Sequence, residues 1–416
     1  MVAVDSNAQV WLFDAQLDKP IARNLADFPE LISLDRAYFI ATQNGKKGLL
    51  DQSGKIILPF EYDLIHSGSD GYPTPHFLLT KGRNQGYYNS ASGHFFPAKY
   101  PAFEIMDSLG FVEATRDDGK QALFAPDGKQ ITDFELEYVY RFGPNLFVAD
   151  KNGKKGILDN TGKLIHPFDL TDVRTSENYA VLVKDQQQGL LLDNGTLLLP
   201  IHFNYIEGAG KLAFKARKPD NAQLLYDRAG RVVAGPGNFD IQTLADSCFR
   251  LSKDGQMAIL RIDGSFVLPY SERSIHFQNG LCIVEEPGKW GLIRPDGTQV
   301  LPFKYDLIAF AHDNSENAPI LLGQQGKYGY LDLQGRPLTA LEYDYADAFA
   351  YGLAAVRKQD KWGFVDTSGH LVIPLQFRYA ENFDFEKQET VVLSDRGYVL
   401  IDREGKITRD FPFDTP

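Results

Sequence analysis

Cysteine is nearly absent from this chain: two in 416 residues, Cys248 and Cys282. No Cys-x-x-Cys occurs, so neither a disulfide framework nor a thiolate zinc site is written into the sequence, and two buried thiols are the expectation. A disulfide between them is not suggested. Methionine is scarce at three residues. No apolar run approaches the ~18 residues of a membrane span. The opening MVAVDSNAQVWLFDAQLDKP lacks a basic region followed by an apolar core, so as given it is no signal peptide and reads as cytoplasmic; a leader removed upstream would make the protein periplasmic or surface-exposed, and the compartment stays undetermined. Positive charge is also in deficit. The net charge is −12 and the pI about 5.2, which disfavours a nucleic-acid partner. No basic run is longer than a doublet such as Lys46-Lys47 or Lys154-Lys155, which belong to expected hairpin tips. Catalytic signatures are missing too. The eight histidines form no His-x-x-x-His or His-Glu-x-x-His, and there is no Gly-x-Ser-x-Gly elbow or Walker-type phosphate loop. No cofactor, metal or catalytic residue is expected.

What is abundant is Phe (29), Tyr (20), Gly (37) and Pro (22), a mixture suited to short strands and tight turns. These residues recur in register. The stretch Leu353–Phe383 shows the pattern best: Ala354 and Val356 in alternation, a polar tip at 358–361, Trp362-Gly363-Phe364-Val365-Asp366, a turn ending at Gly369, then Pro374 and the aromatics Phe377, Tyr379 and Phe383. The turn glycine returns at 54, 93, 128, 162, 195, 230, 264, 297, 335, 369 and 405, in steps of 33 to 39 residues. With a half-preserved copy around Val10–Asp14, this makes twelve units of about 35 residues.

Fixed offsets from the turn glycine carry physical roles. Six residues before it stands Gly48, Gly156, Gly291, Gly329 or Gly363, with Ala122, Leu224 and Ala258 as departures; Val399 replaces it in the last unit. Glycine inside a strand implies close backbone approach, and the large aromatic of an adjacent unit, such as Trp290 or Trp362, is the expected neighbour. Three residues before the turn glycine stands Asp51, Asp159, Asp332 or Asp366, expected to accept hydrogen bonds from turn amides while the glycine takes a positive φ. The alternative role of such acids in calcium binding needs more oxygens than one per turn. Five residues after the turn glycine comes proline, at 59, 167, 200, 269, 302 and 374, marking a strand end or sheet edge. A Tyr-Asp segment then swings the chain into the next unit. Tyr62, Tyr305, Tyr343 and Phe377 are expected in the core. Trp290, Tyr328 and Trp362 would be core if inward, and flat platforms if outward.

The motifs Lys361-Trp362-Gly363 and Lys289-Trp290-Gly291, with Lys327-Tyr328-Gly329 and Lys47-Gly48 as variants, resemble the bacterial WG-containing repeat, also called the KWG repeat. The resemblance is strongest over 281–383 and around 45–65 and 153–173. It implies a β-rich repeat scaffold without an enzymatic role and carries over no catalytic residue. The expected fold is all-β, a tandem array of antiparallel β-meander or hairpin repeats over 1–416. An open, curved solenoid and one or two propeller-like rings both fit. The atypical unit with Gly235-Pro236-Gly237 reads either as a bend or as a sub-boundary, near 225–240, between an N-terminal and a C-terminal half.

For function, the leading expectation is a non-catalytic scaffold binding a protein, peptide or glycan. A hydrolase acting on a polysaccharide or peptide on a propeller, and a structural or assembly protein, are the alternatives. Two longer steps carry inserts after the Tyr-Asp segment, and in repeat proteins such inserts often line the binding face. Tyr72, His76, His312, Asp313 and Glu316 are the candidate binding residues. Glu285-Glu286 reads as a solvated strand edge rather than a catalytic pair.

Overall fold

The computed structural model describes residues 2–4, 10–13, 20–22, 31–34, 38–51, 55–67, 76–106, 109–311, 317–383 and 388–411. Among them every regular element is a strand, and the strands form twelve antiparallel sheets. Each sheet is a meander of three or four consecutive strands, so the sheets number the repeats in chain order. Sheet 5, for example, comprises Tyr138–Phe142, Leu146–Lys151, Lys154–Asp159 and Leu164–Leu170. Sheet 11 comprises Tyr345–Ala346, Leu353–Lys358, Lys361–Asp366 and Leu371–Phe377. The chain divides into two compact bodies, Met1–His202 and Phe203–Pro416. The Gly235-Pro236-Gly237 segment belongs to Val232–Gly237, the outer strand of sheet 7.

Within each body, hydrophobic clusters join successive sheets. One cluster takes Ile40, Leu49 and Leu58 from sheet 2 with Ile65, Phe77 and Leu79 from sheet 3. Another takes Ile283 and Leu292 from sheet 9 with Ile308, Ile320 and Leu322 from sheet 10. An interior sheet is therefore covered on both faces. That is why Leu353, Ala354, Ala355 and Val356 are all buried, where the sequence led us to expect alternation. A strand covered on both sides reads as a continuous apolar run.

The second and third strands meet in tight hairpins whose tips carry paired positive φ angles, such as Asn152 and Gly153 or Gln359 and Asp360, as the right-handed twist of a two-residue hairpin requires. The third and fourth strands are joined by the Asp-x-x-Gly turn. Asp332 Oδ1 accepts the amides of Gln334 and Arg336, both at 2.9 Å. Asp366 Oδ1 does the same for Ser368 and His370, again at 2.9 Å. Asp159 serves Thr161 and Lys163 at 2.8 and 3.0 Å, and Asp51 accepts from Lys55 at 3.0 Å. The turn glycines 162, 335 and 369 lie at φ 86, 80 and 83°.

The strand glycine and the proline prove to be one device. In sheet 11 Trp362 pairs with Phe377 and Phe364 with Ile373, so Pro374, Leu375 and Gln376 bulge opposite Gly363 alone. The same three-against-one bulge places Pro59 opposite Gly48, Pro167 opposite Gly156 and Pro302 opposite Gly291. The proline sits within the outer strand rather than at its end, where its missing N–H costs no ladder bond. A Cβ on Gly363 would lie 2.4 Å from the Ile373 carbonyl oxygen, and on Gly48, Gly156 or Gly291 within 2.7–2.9 Å of Phe60, Phe168 or Phe303. The close neighbour is thus the bulge of the glycine's own sheet, not the tryptophan of an adjacent unit. Sheet 7 exchanges the partners. Leu224 occupies the third-strand position, and Gly235 on the bulge, at φ 98°, is the residue with no room: its Cβ would lie 2.4 Å from the Gln223 carbonyl oxygen.

Candidate functional site

Four pairs of consecutive repeats are tied by a charge clamp among the described residues. The lysine that opens the third strand reaches the acid 17 residues later, at the bend into the next sheet, and that acid also accepts the amide of the next hairpin tip. Lys289 Nζ lies 2.6 Å from Asp306 Oδ1, and Gln325 N donates to Asp306 Oδ2 at 2.6 Å. Lys327, Asp344 and the Gln359 amide repeat this at 2.5 and 2.8 Å. Lys46, Asp63 and the Gly82 amide, and Lys120, Glu137 and the Asn152 amide, form the same clamp in the N-terminal body. The lysine hydrogen bond holds each of these carboxyls below its ordinary range, helped by the tip amide. The residue before the acid is the expected core aromatic: Tyr62, Tyr305 and Tyr343 are all buried, as is Phe377. The bend is therefore a structural joint, with its lysine and acid already engaged.

One residue row, next to the hairpin tip, is only partly covered, its Trp362 and Tyr328 packing by one side against the core. In sheet 11 it runs Tyr345, Arg357, Trp362 across neighbouring strands. Trp362 and Tyr328 are half-buried, and Tyr345, Tyr379 and Tyr398 are exposed. The rings touch from one repeat to the next. Centroids are 6.2 Å apart for Tyr328–Tyr345, 5.2 Å for Tyr345–Trp362 and 5.8 Å for Trp362–Tyr379, with interplanar angles of 51, 54 and 61°. Arg357 lies over the Trp362 ring at 5.8 Å. The phenols of Tyr345 and Tyr379 donate to Asp347 at 3.3 Å and Glu381 at 3.4 Å. The result is a ladder of tilted rings with V-shaped gaps, edged by carboxylates. Tyr328 and Trp362 stand at the expected repeat position, but Tyr345 and Tyr379 open the following sheets. The 17-residue spacing of 328, 345, 362 and 379 was the signal that aligning on turn glycines alone passed over.

Of the insert residues, Tyr72, His312, Asp313 and Glu316 lie outside the described residues. His76 opens the strand His76–Lys81 and pairs with Asn89; its side chain lies outside what is described. The two cysteines are free and buried, and burial, with Cys248 next, pushes the Cys282 thiol up to about 12. Among the described residues no group of three or more His, Cys, Asp or Glu side chains is placed to hold a metal, and no helix is long and apolar enough to cross a membrane.

The fold and the ladder define an all-β repeat protein of clamped meanders. Residues 48–72, 290–317, 328–362 and 362–386 match the model of the WG containing repeat, so the chain carries WG-containing repeats in these four stretches. The stretch 153–173, built on the same glycine, aspartate and proline, falls outside them. No curated protein matches the chain. Among solved structures it is similar to the extracellular domain of the one-component system BT4673 of B. thetaiotaomicron, at 11% identity over 99% of this chain and 77% of that one, TM-score 0.21. It is similar to BamB of Moraxella catarrhalis, at 11% identity over 64% and 94%, TM-score 0.20. It is similar also to PorZ, a surface component of the type-IX secretion system of Porphyromonas gingivalis, at 8% identity over 93% and 59%, TM-score 0.21. Likenesses this distant carry no argument about activity or partner.

Proposed function

We propose that the protein is a non-catalytic repeat scaffold whose binding surface is the ring ladder of the C-terminal body, and that its ligand is an extended, basic or proline-containing polypeptide segment. The observation that carries this reading is the continuous row Tyr328, Tyr345, Trp362 and Tyr379, whose tilted rings are in contact, with Tyr345 and Tyr379 exposed and Tyr328 and Trp362 half-buried against the core. V-shaped gaps between tilted aromatics accept the rings and stems of an extended chain, the mode by which polyproline-type segments are bound. Carboxylates at the edge, Asp347 and Glu381, and the net charge of −12 favour a cationic ligand, to which the exposed tyrosine faces add cation–π attraction, the Trp362 ring being covered by Arg357. Successive ladder rings touch at 5.2–6.2 Å and are tilted by 51–61°, which fits a peptide better than the coplanar, well-separated platforms suited to stacked sugars.

The test is selection of a random twelve-residue peptide library on the immobilised full chain, with counter-selection on the Tyr345→Ala, Trp362→Ala variant. Enrichment of a basic or proline-containing consensus that the variant fails to hold is the expected result. Absence of any consensus, or retention by the variant, overturns the reading. Capture of a neutral oligosaccharide instead of peptides would replace the peptide with a glycan.

A further inference from the structure

A cleft of about 480 Å³ opens in the C-terminal body where sheets 8, 9 and 10 follow one another. Its polar lining is Gln242, Arg250, His276 and Gln278, and its apolar walls include Trp290 and Phe310. No aspartate or glutamate lines it, although acids outnumber lysine and arginine by 55 to 43 over the whole chain. Arg250 Nη1 donates to the Ile275 carbonyl at 2.6 Å, which fixes the guanidinium between sheets 8 and 9. Arg250 Nε and Gln278 Nε2 are buried without an acceptor, and among the described residues no carboxylate forms an ion pair with Arg250. Buried donors left unpaired cost stability. A positive, acid-free cleft with idle donors and a tryptophan wall in an acidic protein is built for what the protein itself does not supply there.

We propose that this cleft binds a small carboxylate with a flat apolar body. The carboxylate is the counter-charge that the half-buried Arg250 guanidinium lining the cleft lacks, and an arginine fork matches a carboxylate in shape as well as charge. The flat body packs against Trp290 and Phe310, and the Gln242 amide and His276 border the polar end. This site is distinct from the peptide surface proposed above and does not rest on it. Trp290 belongs to the cleft, and Trp362 to the ladder.

Matched acids and amides test the proposal on the unaltered full chain. Phenylacetate, indole-3-acetate and 4-hydroxycinnamate are titrated calorimetrically beside phenylacetamide, indole-3-acetamide and 4-hydroxycinnamide. At least one acid is expected to bind about tenfold or more tighter than its amide. Arg250→Gln abolishes that preference, Trp290→Ala weakens both members of the pair, and Trp362→Ala changes neither. Because Arg250 also holds the Ile275 carbonyl, Arg250→Lys serves as a second variant: it keeps the charge, and the acid preference falls without vanishing. Equal affinity for acid and amide, binding by none of the six, or a preference that survives Arg250→Gln overturns the proposal.

Discussion

Sheets 5 and 11 are built to one plan and finished differently. In both, the third-strand glycine (Gly156 or Gly363) faces a proline bulge, and the turn aspartate (Asp159 or Asp366) caps the same two amides. Even the tyrosine that begins the first strand is shared, Tyr138 against Tyr345. The row beside the hairpin tip then diverges. Sheet 5 places Asp150 opposite Lys155, an ion pair at 3.1 Å. Sheet 11 places Arg357 opposite Trp362, a cation over a ring. Backbone geometry fixes the glycine, proline and aspartate in both sheets, because a side chain opposite the bulge would meet its atoms and the turn amides need an acceptor. The open row answers only to its neighbours, and there the C-terminal repeats have gathered rings.

The comparison can be broken at the bulge. Gly363→Val drives a side chain into backbone atoms of Ile373 and Pro374 and is expected to cost about 3 kcal/mol. Gly156→Val first meets the Phe168 ring, at 2.8 Å, a side chain that can give way, and is expected to cost about 1 kcal/mol. Hydrogen exchange of the second- and third-strand amides reads both; equal losses would refute the distinction between backbone and ring contact. At the turn the two sheets should behave alike. Asp366→Ala and Asp159→Ala each strand two amides and should each cost about 1 kcal/mol, and a gap of more than twofold in urea denaturation would show that the turns are not equivalent.

The clamp predicts a pH dependence common to both bodies. Asp344 and Glu137 are held below their ordinary pKa when folded. Their contribution is therefore complete above the unfolded carboxyl pKa and disappears as the pH falls through the folded value. Asp344→Asn and Glu137→Gln should lower the thermal midpoint slightly at neutral pH and low salt, and the difference from the parent should close in acid. A difference that persists unchanged there would remove the clamp as its cause. The smallest effect on stability is expected at the two exposed rings of the ladder. Tyr345→Lys with Tyr379→Lys should shift stability by no more than about 1 kcal/mol yet abolish peptide capture; a protein that unfolds instead would show the ring row to be core.

Much of the framework was legible before any coordinates. The turn glycines, the aspartates and the twelvefold count follow from local geometry, which a single sequence records directly. What stayed hidden depends on pairing. Gly363 reveals that something packs closely, but only the register of strands three and four shows it to be Pro374 and Ile373. Leu224 with Gly235 looked like a break, because the missing side chain had moved to the partner strand. Lys289 stands in the sequence only as the first residue of Lys289-Trp290-Gly291 and Asp306 only as part of the Tyr-Asp segment, since a clamp exists only once the next repeat is in place. The ladder residues Tyr345 and Tyr379 were hidden for the same reason, being supplied by the sheet that follows.

The joint between repeats also governs how such a chain can change. At the clamped joints of sheets 2 and 9 a single residue, 63 or 306, separates the outer strand of one sheet from the first strand of the next, whereas the joints at 238–239 and 272–273, on either side of sheet 8, have two. An added residue at a clamped joint would move the acid away from its lysine. Between first and second strands no such constraint holds, and both long inserts, 68–75 and 312–316, fall there. The gene is thus free to copy whole repeats and to lengthen one loop in each, so novelty enters by duplication and by loop growth, while the spacing from clamp lysine to clamp acid is inherited intact.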